Sequence, residues 1–326
     1  MYIIQVYNQF NFGGTENMVL FFDRYFNQSG HKLITWLLYD GKQPSYLKCI
    51  IGQEAIYSVA LPECFLVHGG LLSTDFYKIN KLFPNIPIFE ILHRAITINP
   101  IDGIHYIAVS KYVKSLQKGR ECDVIYNPVQ ISDNSNQCNK DEIKKLIGLP
   151  DNSFVICRHC RWVTEKNFSD FIYICNTILN NNKRTFICLI GNQQRNDIVT
   201  KILSSWAQYN ERIKLFNWTN TPEEILKCGD LYLETSKNEA FSLSLCEAAK
   251  LRIPIIALES KWVFDVLDNN LFIHKHRDKI IDEILKLIDN SEMLFKHVEA
   301  AYNYVEKNYS VRSVYDNYMS TFRKFL

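Results

Sequence analysis

The 326-residue sequence has no excess of either charge: 37 lysines and arginines meet 35 aspartates and glutamates, a formal net charge of +2. A nucleic-acid partner would need a basic face, and the overall balance supplies none, so no nucleic acid is expected. Long apolar runs are missing as well. None approaches the roughly 18 residues that a membrane-crossing helix needs. The opening Met1-Tyr2-Ile3-Ile4-Gln5-Val6-Tyr7 has no basic stretch, no long apolar core and no small-residue cleavage site, so it reads as a first buried strand. Ten cysteines without a secretory signal suggest reduced thiols and a cytoplasmic setting. Cys157, Cys188 and Cys246 lie inside apolar runs, where cysteine acts as a small hydrophobe.

Three chemical signatures are also absent. There is no D-x-D pair to bridge a divalent metal to a diphosphate, and no G-x-G-x-x-G dinucleotide fingerprint. Cys157, His159 and Cys160 stand close together, but no second C-x-x-C completes the four ligands that zinc usually takes. Neither a metal nor a bound cofactor is therefore expected. No internal repeat is found.

What the sequence does have is length and apolar content for two cores, with 47% hydrophobic and 13% aromatic residues. Short β-branched runs alternate with amphipathic stretches, which predicts parallel α/β units. Strands are expected at Ile3–Tyr7, Leu33–Leu38, Cys64–Val67, Ile88–Leu92, Ile104–Val109 and Asp123–Ile125, with a helix over Glu16–Gln28. Asp133-Asn134-Ser135-Asn136-Gln137 reads as a polar linker, and Lys140–Ile147 as a short helix closed by Gly148. The alternation then restarts, with strands at Phe154–Cys157, Thr185–Ile190, Ile213–Phe216, Leu231–Leu233 and Pro254–Ala257. Thr221 before Pro222 is expected to cap a helix. The resulting division is a first Rossmann-like domain over 1–128, a linker and short helix over 129–150, a second such domain over 151–302, and a helix over 303–326 that packs back.

The strongest chemical signal is Ser236-Lys237-Asn238-Glu239-Ala240-Phe241-Ser242-Leu243-Ser244-Leu245-Cys246-Glu247. Two glutamates stand eight positions apart, across a loop and the helix that follows it. A helix starting near Ser242 would offer free N–H groups and a positive dipole end to a diphosphate. Glu239 before that terminus and Glu247 within the helix can then reach the sugar and the ribose of a nucleotide sugar. As an isolated pair, the two could equally be solvent-facing residues flanking a buried helix.

This segment resembles the E-x7-E signature of the retaining GT-B glycosyltransferases, in particular the family 4-like group. Gly13-Gly14-Thr15-Glu16 resembles the family's Gly-Gly loop, and Gly30-His31 the "GH" before strand two. Ile107-Ala108-Val109-Ser110 and Val124-Ile125-Tyr126-Asn127-Pro128 are similar to the strand and the interdomain crossing that end the first domain. Arg161-Trp162-Val163-Thr164-Glu165-Lys166-Asn167 resembles "vgRlxxeKG", and Leu189-Ile190-Gly191-Asn192 resembles "ivGxG".

The resemblance implies two facing Rossmann-like domains with a cleft, and sugar transfer from a UDP- or GDP-linked donor to a glycan, lipid-linked or other hydroxyl acceptor. In that reading Glu239 orients the donor sugar and Glu247 grips the ribose. Arg161 and Lys166 neutralise the diphosphate, Gly13 and Gly14 approach it from the other domain, and Gly191, Ala240, Phe241, Ser242 and Leu243 line the donor site. His93 falls where the family often carries a donor-site histidine and is, with Glu239, the candidate catalytic residue, supporting the transition state or positioning the acceptor, though a lone histidine at a strand end is more often structural; His68 is the weaker rival for a cleft position. Lys111, Lys114, Lys118 and Arg120 form a solvated face or a membrane-surface contact. Two departures stand out: Glu239-Ala240-Phe241-Ser242 replaces the usual Glu-Gly-Phe-Gly, and little more than a dozen residues separate His93 from Ile107. A sugar phosphorylase on the same fold, and a non-catalytic nucleotide-sugar-binding subunit, are the alternative readings.

Overall fold

The computed structural model describes residues 1–8, 14–39, 47, 49–52, 55, 59–69, 73–131, 139–191, 196–217, 219, 221–267, 272–289 and 295–326. Gly13, Asn192 and the polar stretch 133–137 lie outside them. The chain divides into two compact units, Met1–Pro128 joined by Arg312–Leu326, and Val129–Val311.

The first unit holds β1 (Tyr2–Tyr7), β2 (Lys32–Leu37), β3 (Cys49–Ile51), β4 (Cys64–Val67), β5 (Ile88–Leu92), β6 (Ile104–Ala108) and β7 (Asp123–Val124), with α1 (Gly14–Gln28), α2 (Ser73–Leu82) and α3 (Lys111–Ser115). The second holds β8 (Phe154–His159), β9 (Thr185–Ile190), β10 (Ile213–Phe216), β11 (Leu231–Glu234), β12 (Ile255–Leu258) and β13 (Phe272–His274). Its helices are α4 (Lys140–Leu146), α5 (Phe168–Asn181), α6 (Asn196–Trp206), α7 (Pro222–Leu226), α8 (Leu243–Lys250), α9 (Lys261–Leu267), α10 (Arg277–Asp289) and α11 (Phe295–Tyr309). A last helix, α12 (Val311–Phe322), rejoins the first unit.

The strands run in the order β3-β2-β1-β4-β5-β6-β7 in one sheet and β10-β9-β8-β11-β12-β13 in the other. Every described pairing is parallel. Parallel sheets are covered on both faces, and the strands read accordingly as apolar runs: each residue of β4 and β5 is buried. In both sheets the first strand lies inside, and later strands are added first on one side and then on the other. The order reverses between β1 and β4, and again between β8 and β11. In open α/β sheets, ligands bind beyond the carboxyl ends of the strands at such a reversal.

Several elements differ from the sequence reading. The stretch 303–326 is not one helix, because α11 stops at Tyr309 and α12 starts at Val311. The carbonyl of Tyr309 accepts the N–H of Val129 at 2.8 Å, which diverts it from a continuing helix ladder. Thr221 precedes α7 but its side chain caps nothing; its own N–H donates instead to the Thr219 hydroxyl at 3.2 Å. The short α4 is capped from its other flank, where Asn139 and Glu142 satisfy each other's backbone N–H in a capping box. β3, α9 and β13 are too short to show a periodicity, whereas α2 and α6 are amphipathic and are additions to the sequence reading.

α12 is fixed to the first unit by aromatic packing. Tyr318 and Phe322 are fully buried, with Tyr318 edge-on to Phe22 at 4.8 Å between centroids and Phe322 at 4.7 Å from Phe89. Such pairs add to the area that each ring buries. Phe322→Ala is therefore expected to destabilise the first unit by about 3–5 kcal/mol. Denaturant unfolding followed in this unit checks it; a midpoint equal to wild type would mean that α12 contributes little.

Candidate functional site

The residues singled out by the sequence gather at the carboxyl end of the second sheet, around its reversal point. β8 ends in Arg158 and His159, and the loop beyond it carries the exposed Arg161 and a 3-10 turn over Thr164–Lys166. β11 ends in Glu234 and leads through Glu239 to the start of α8.

A buried ion pair ties these two strand ends together. Arg158 Nη2 lies 2.9 Å from Glu234 Oε1, and both side chains are almost wholly enclosed. The same guanidinium donates to Thr235 Oγ1 at 2.8 Å, to the Lys166 carbonyl at 2.8 Å and to Ser236 Oγ at 3.1 Å. Ser236 returns two hydrogen bonds to Glu234 Oε1, from its N–H at 2.8 Å and its hydroxyl at 2.7 Å. Burial alone would push the Glu234 carboxyl up, but Arg158, Lys166 and the two Ser236 donors outweigh it and hold its pKa below the usual carboxylate range. One fixed fork thus sets the path of both loops.

Lys166 is buried, and its ammonium hydrogen-bonds the Glu239 carboxylate. Burial opposes the charge on Lys166, yet Glu239, Cys160 and Glu234 more than offset it, so its pKa is raised and the ammonium stays charged. Asn167 follows in the left-handed region, φ 51° and ψ 55°. It occupies the place where the resemblance has glycine, and asparagine is among the few residues that visit this region readily.

Glu239 is followed by buried Ala240, Phe241 and Ser242. Ser242 sits at φ −84°, open to any L-residue, which accounts for a serine in place of glycine. It flanks α8 without a side-chain cap, so the first-turn N–H groups beginning at Leu243 keep their donors uncapped by it. Within α8, Glu247 Oε2 lies 3.7 Å from His159 Nδ1. Gly191 follows β9 and is pressed against the Arg161 loop: a Cβ there would come within 2.0 Å of the Cys160 carbonyl and 2.6 Å of the Trp162 ring nitrogen. Its first role is thus close packing, which holds the loop that carries Arg161.

The other predicted positions belong to the first unit. Gly14 is the exposed first residue of α1, and Gly13 lies outside the described residues. His93 follows β5, with Nε2 at 3.2 Å from His68 Nδ1 and the two rings stacked at 5.4 Å. Burial lowers the pKa of both; that of His93 falls to about 3, although part of the residue reaches solvent. Lys111, Lys114 and Lys118 are exposed along and beyond α3, and Arg120 lies over the Tyr106 ring at 5.5 Å. Among the described residues, no three His, Cys, Asp or Glu side chains are grouped to hold a metal ion, and no helix is long and apolar enough to cross a membrane.

Sequence reading missed Arg158, Glu234, Gln5 and Thr35, and weighed His159 only as an incomplete zinc ligand. The available signal was a single charged or polar residue inside an otherwise apolar strand, as in Phe154-Val155-Ile156-Cys157-Arg158-His159 and Leu231-Tyr232-Leu233-Glu234.

Glu234→Gln leaves Arg158 buried without its counter-charge and is expected to destabilise the second unit by about 3–5 kcal/mol. The sign with pH follows from the lowered pKa. The stability that Glu234 contributes is complete above the unfolded value of about 4.3 and is lost as pH falls through the folded one. Wild type should therefore lose more of its melting temperature than Glu234→Gln between neutral pH and about pH 3. Parallel curves for the two proteins would remove the ion pair from this role.

Residues 139–304, just over half the chain, match the sequence model of the family described as glycosyl transferases group 1. The O-antigen biosynthesis glycosyltransferase WclY of Escherichia coli is 22% identical over 209 residues, 63% of this chain and 57% of the relative. The UDP-Gal:alpha-D-GlcNAc-diphosphoundecaprenol alpha-1,3-galactosyltransferase of Escherichia coli is 27% identical over 165 residues, 49% of this chain and 41% of the relative. The chain thus spans about half the length of the curated relatives it matches. The crystal structure of Anabaena Alr3699/HepE in complex with UDP superposes with a TM-score of 0.81 at 14% identity, covering 99% of this chain and 100% of that one. Two parallel sheets of the order described, with this likeness over nearly the whole chain, constitute the two-domain α/β fold called GT-B. The family match covers the very segment that carries Lys166, Glu239, α8 and Glu247, and the chain belongs to the glycosyl transferases group 1 family.

Proposed function

We propose that this chain is a retaining, family 4-like glycosyltransferase that moves a sugar from a nucleotide-diphosphate donor to a hydroxyl of a glycan or lipid-linked acceptor without a metal ion. The observation that carries the reading is the uncapped first turn of α8 beside the charged Lys166 and between Glu239 and Glu247. A diphosphate needs N–H donors and fixed cations, and a helix N-terminus with a buried ammonium provides both. The departing nucleoside diphosphate gains negative charge as the sugar bond breaks, so groups already aimed at it stabilise the transition state. Arg161 adds a planar fork from the exposed loop. The name of the Anabaena structure cites UDP, and that of the galactosyltransferase relative a UDP-linked donor and a lipid diphosphate acceptor. Both support the same choice of substrates.

Glu239 serves the donor sugar in this reading. A carboxylate has about four acceptor positions, so it can keep Lys166 and still take a sugar hydroxyl. Glu247 serves the ribose. The further task of the first unit, in this reading, is the acceptor. A cytoplasmic setting, with the exposed Lys111, Lys114 and Lys118 near an anionic membrane surface, fits a lipid-linked acceptor.

A thermal-shift screen against UDP, GDP and ADP tests the donor. A ligand at a hundred times its dissociation constant stabilises by about 2.7 kcal/mol. Lys166→Ala and Arg161→Ala should each weaken the shift, and an unchanged affinity in both would remove them from the diphosphate site. The glutamates should separate. Glu247→Gln is expected mainly to raise KM and weaken nucleotide binding, because ribose contacts change little on the way to the transition state. Glu239→Gln is expected mainly to lower kcat, since it holds the ring where charge develops. Each lost charge-assisted bond is worth about 1.5–3 kcal/mol, or roughly tenfold to a hundredfold. The reverse pattern, by steady-state kinetics with calorimetry, would exchange their roles.

Turnover is further expected to persist in EDTA. Loss of activity with recovery on adding manganese or magnesium would require a metal-bridged diphosphate instead.

A further inference from the structure

Four polar side chains stand in a row across the apolar first sheet. Thr35 on β2 and Gln5 on β1 are register partners and both are fully buried. His68 directly follows β4, its N–H bonded to the Val6 carbonyl at 3.0 Å, and His93 directly follows β5. These are neighbouring strands in the order β2-β1-β4-β5. Gln5 Nε2 lies 3.1 Å from the Val19 carbonyl and 2.7 Å from Thr35 Oγ1, while Gln5 Oε1 lies 3.1 Å from His68 Nε2. His68 Nδ1 in turn lies 3.2 Å from His93 Nε2.

The direction of each proton is fixed by one group that has no choice. A backbone carbonyl can only accept, so the Gln5 atom facing Val19 is the amide nitrogen and the other is its oxygen. That oxygen also only accepts, so His68 must carry its proton on Nε2. A neutral His68 then has a lone pair on Nδ1, and His93 must donate to it from Nε2. His93 is left with a lone pair on Nδ1, which has no partner among the described residues.

We propose that Gln5 and His68 are positioning residues that lock His93 in its Nε2–H tautomer, so that His93 meets the substrate as a neutral hydrogen-bond acceptor for a sugar hydroxyl. The inference rests on the transferase reading for the identity of the hydroxyl, but not for the tautomer. It gives His93 a definite chemistry: it receives a hydrogen bond and neither donates one from Nδ1 nor brings a positive charge. Donor and acceptor substrates both carry hydroxyls, and the two sources are separable.

Long-range proton–nitrogen correlation spectra of the full chain labelled with nitrogen-15 histidine read the tautomers directly. Wild type is expected to show His68 and His93 neutral and protonated on Nε2; a His93 protonated on Nδ1 overturns the proposal. Gln5→Met, which keeps the length but has no donor and only a weakly accepting sulfur, should mix the tautomers and lower turnover roughly ten- to hundredfold, the range for partners that orient a functional histidine. UDP affinity by calorimetry should stay as in wild type, a result that general unfolding would not give. Unchanged tautomers and unchanged turnover in Gln5→Met also overturn it. If that variant fails to fold, His68→Phe, which retains the ring and loses both nitrogens, replaces it under the same criteria. A fall in UDP release from UDP-glucose without acceptor assigns the hydroxyl to the donor. A fall confined to transfer onto GlcNAc-diphosphoundecaprenol assigns it to the acceptor. Absence of any nucleotide-sugar turnover in wild type, with the tautomers as stated, counts against the transferase reading alone.

Discussion

The charged fork between Arg158 and Glu234 is the constraint on which the candidate site depends. Two charges are taken out of water at the carboxyl ends of β8 and β11, where desolvation is severe and a lone charge would be untenable. They are accommodated because the two terminal nitrogens of the guanidinium also bond Thr235, Ser236 and the Lys166 carbonyl, while Arg158 Nε and Glu234 Oε2 stay buried without a hydrogen-bond partner among the described residues. Those partners belong to the two loops that carry the candidate ligands, one leading to Lys166 and the other to Glu239. An apolar pair of equal volume could fill the space, but it could not dictate where both loops go. The pair is better understood as a device for geometry than for net stability.

The same logic holds Lys166 in its charge state. A buried ammonium tends to lose its proton, and a neutral amine would be of little use to a diphosphate. Glu239 and Glu234 supply the compensating field, so the cation persists in the absence of ligand. Glu239 therefore serves the site before any sugar arrives. Removing its charge changes Lys166 as well as the proposed sugar contact, and the two effects separate only when nucleotide binding and turnover are measured side by side.

Much of the fold was legible in the sequence because buried parallel strands are written as apolar runs. Phe154, Thr185, Ile213 and Leu231 begin strands just where the runs begin. The exceptions were elements too short to show a pattern, such as the three-residue β3 and β13, and the helix break at Tyr309, where the carbonyl takes a tertiary hydrogen bond from Val129 that no local pattern encodes. In the site, Glu239, Glu247 and Lys166 could be named because their loop and helix follow a family pattern. Arg158 and Glu234 could not, since a strand residue reveals its partner only when the sheet order sets β8 beside β11. Thr35 and Gln5 were hidden for the same reason, and His68 could be named only as a rival of His93 and not as its partner: they are far apart in sequence and adjacent only across strands.

The two departures at Ala240 and Ser242 bear on how an anion site tolerates side chains. Glycine is required where the backbone enters the left-handed region, and there a side chain strains the chain. Ser242 is not in that region. Its side chain is buried and caps no N–H of the helix, its hydroxyl lying 3.5 Å from the Ser244 hydroxyl, so the substitution neither bends the backbone nor consumes the N–H groups of the first turn. Asn167 shows the complementary case, since it does sit at positive φ and is one of the residues that can. The donors that matter to a phosphate are carried by the main chain, and they survive any substitution that leaves φ and ψ unchanged. What such substitutions alter is the volume beside those donors, and in the proposed function they therefore bear on the choice of sugar more than on the ability to hold a diphosphate.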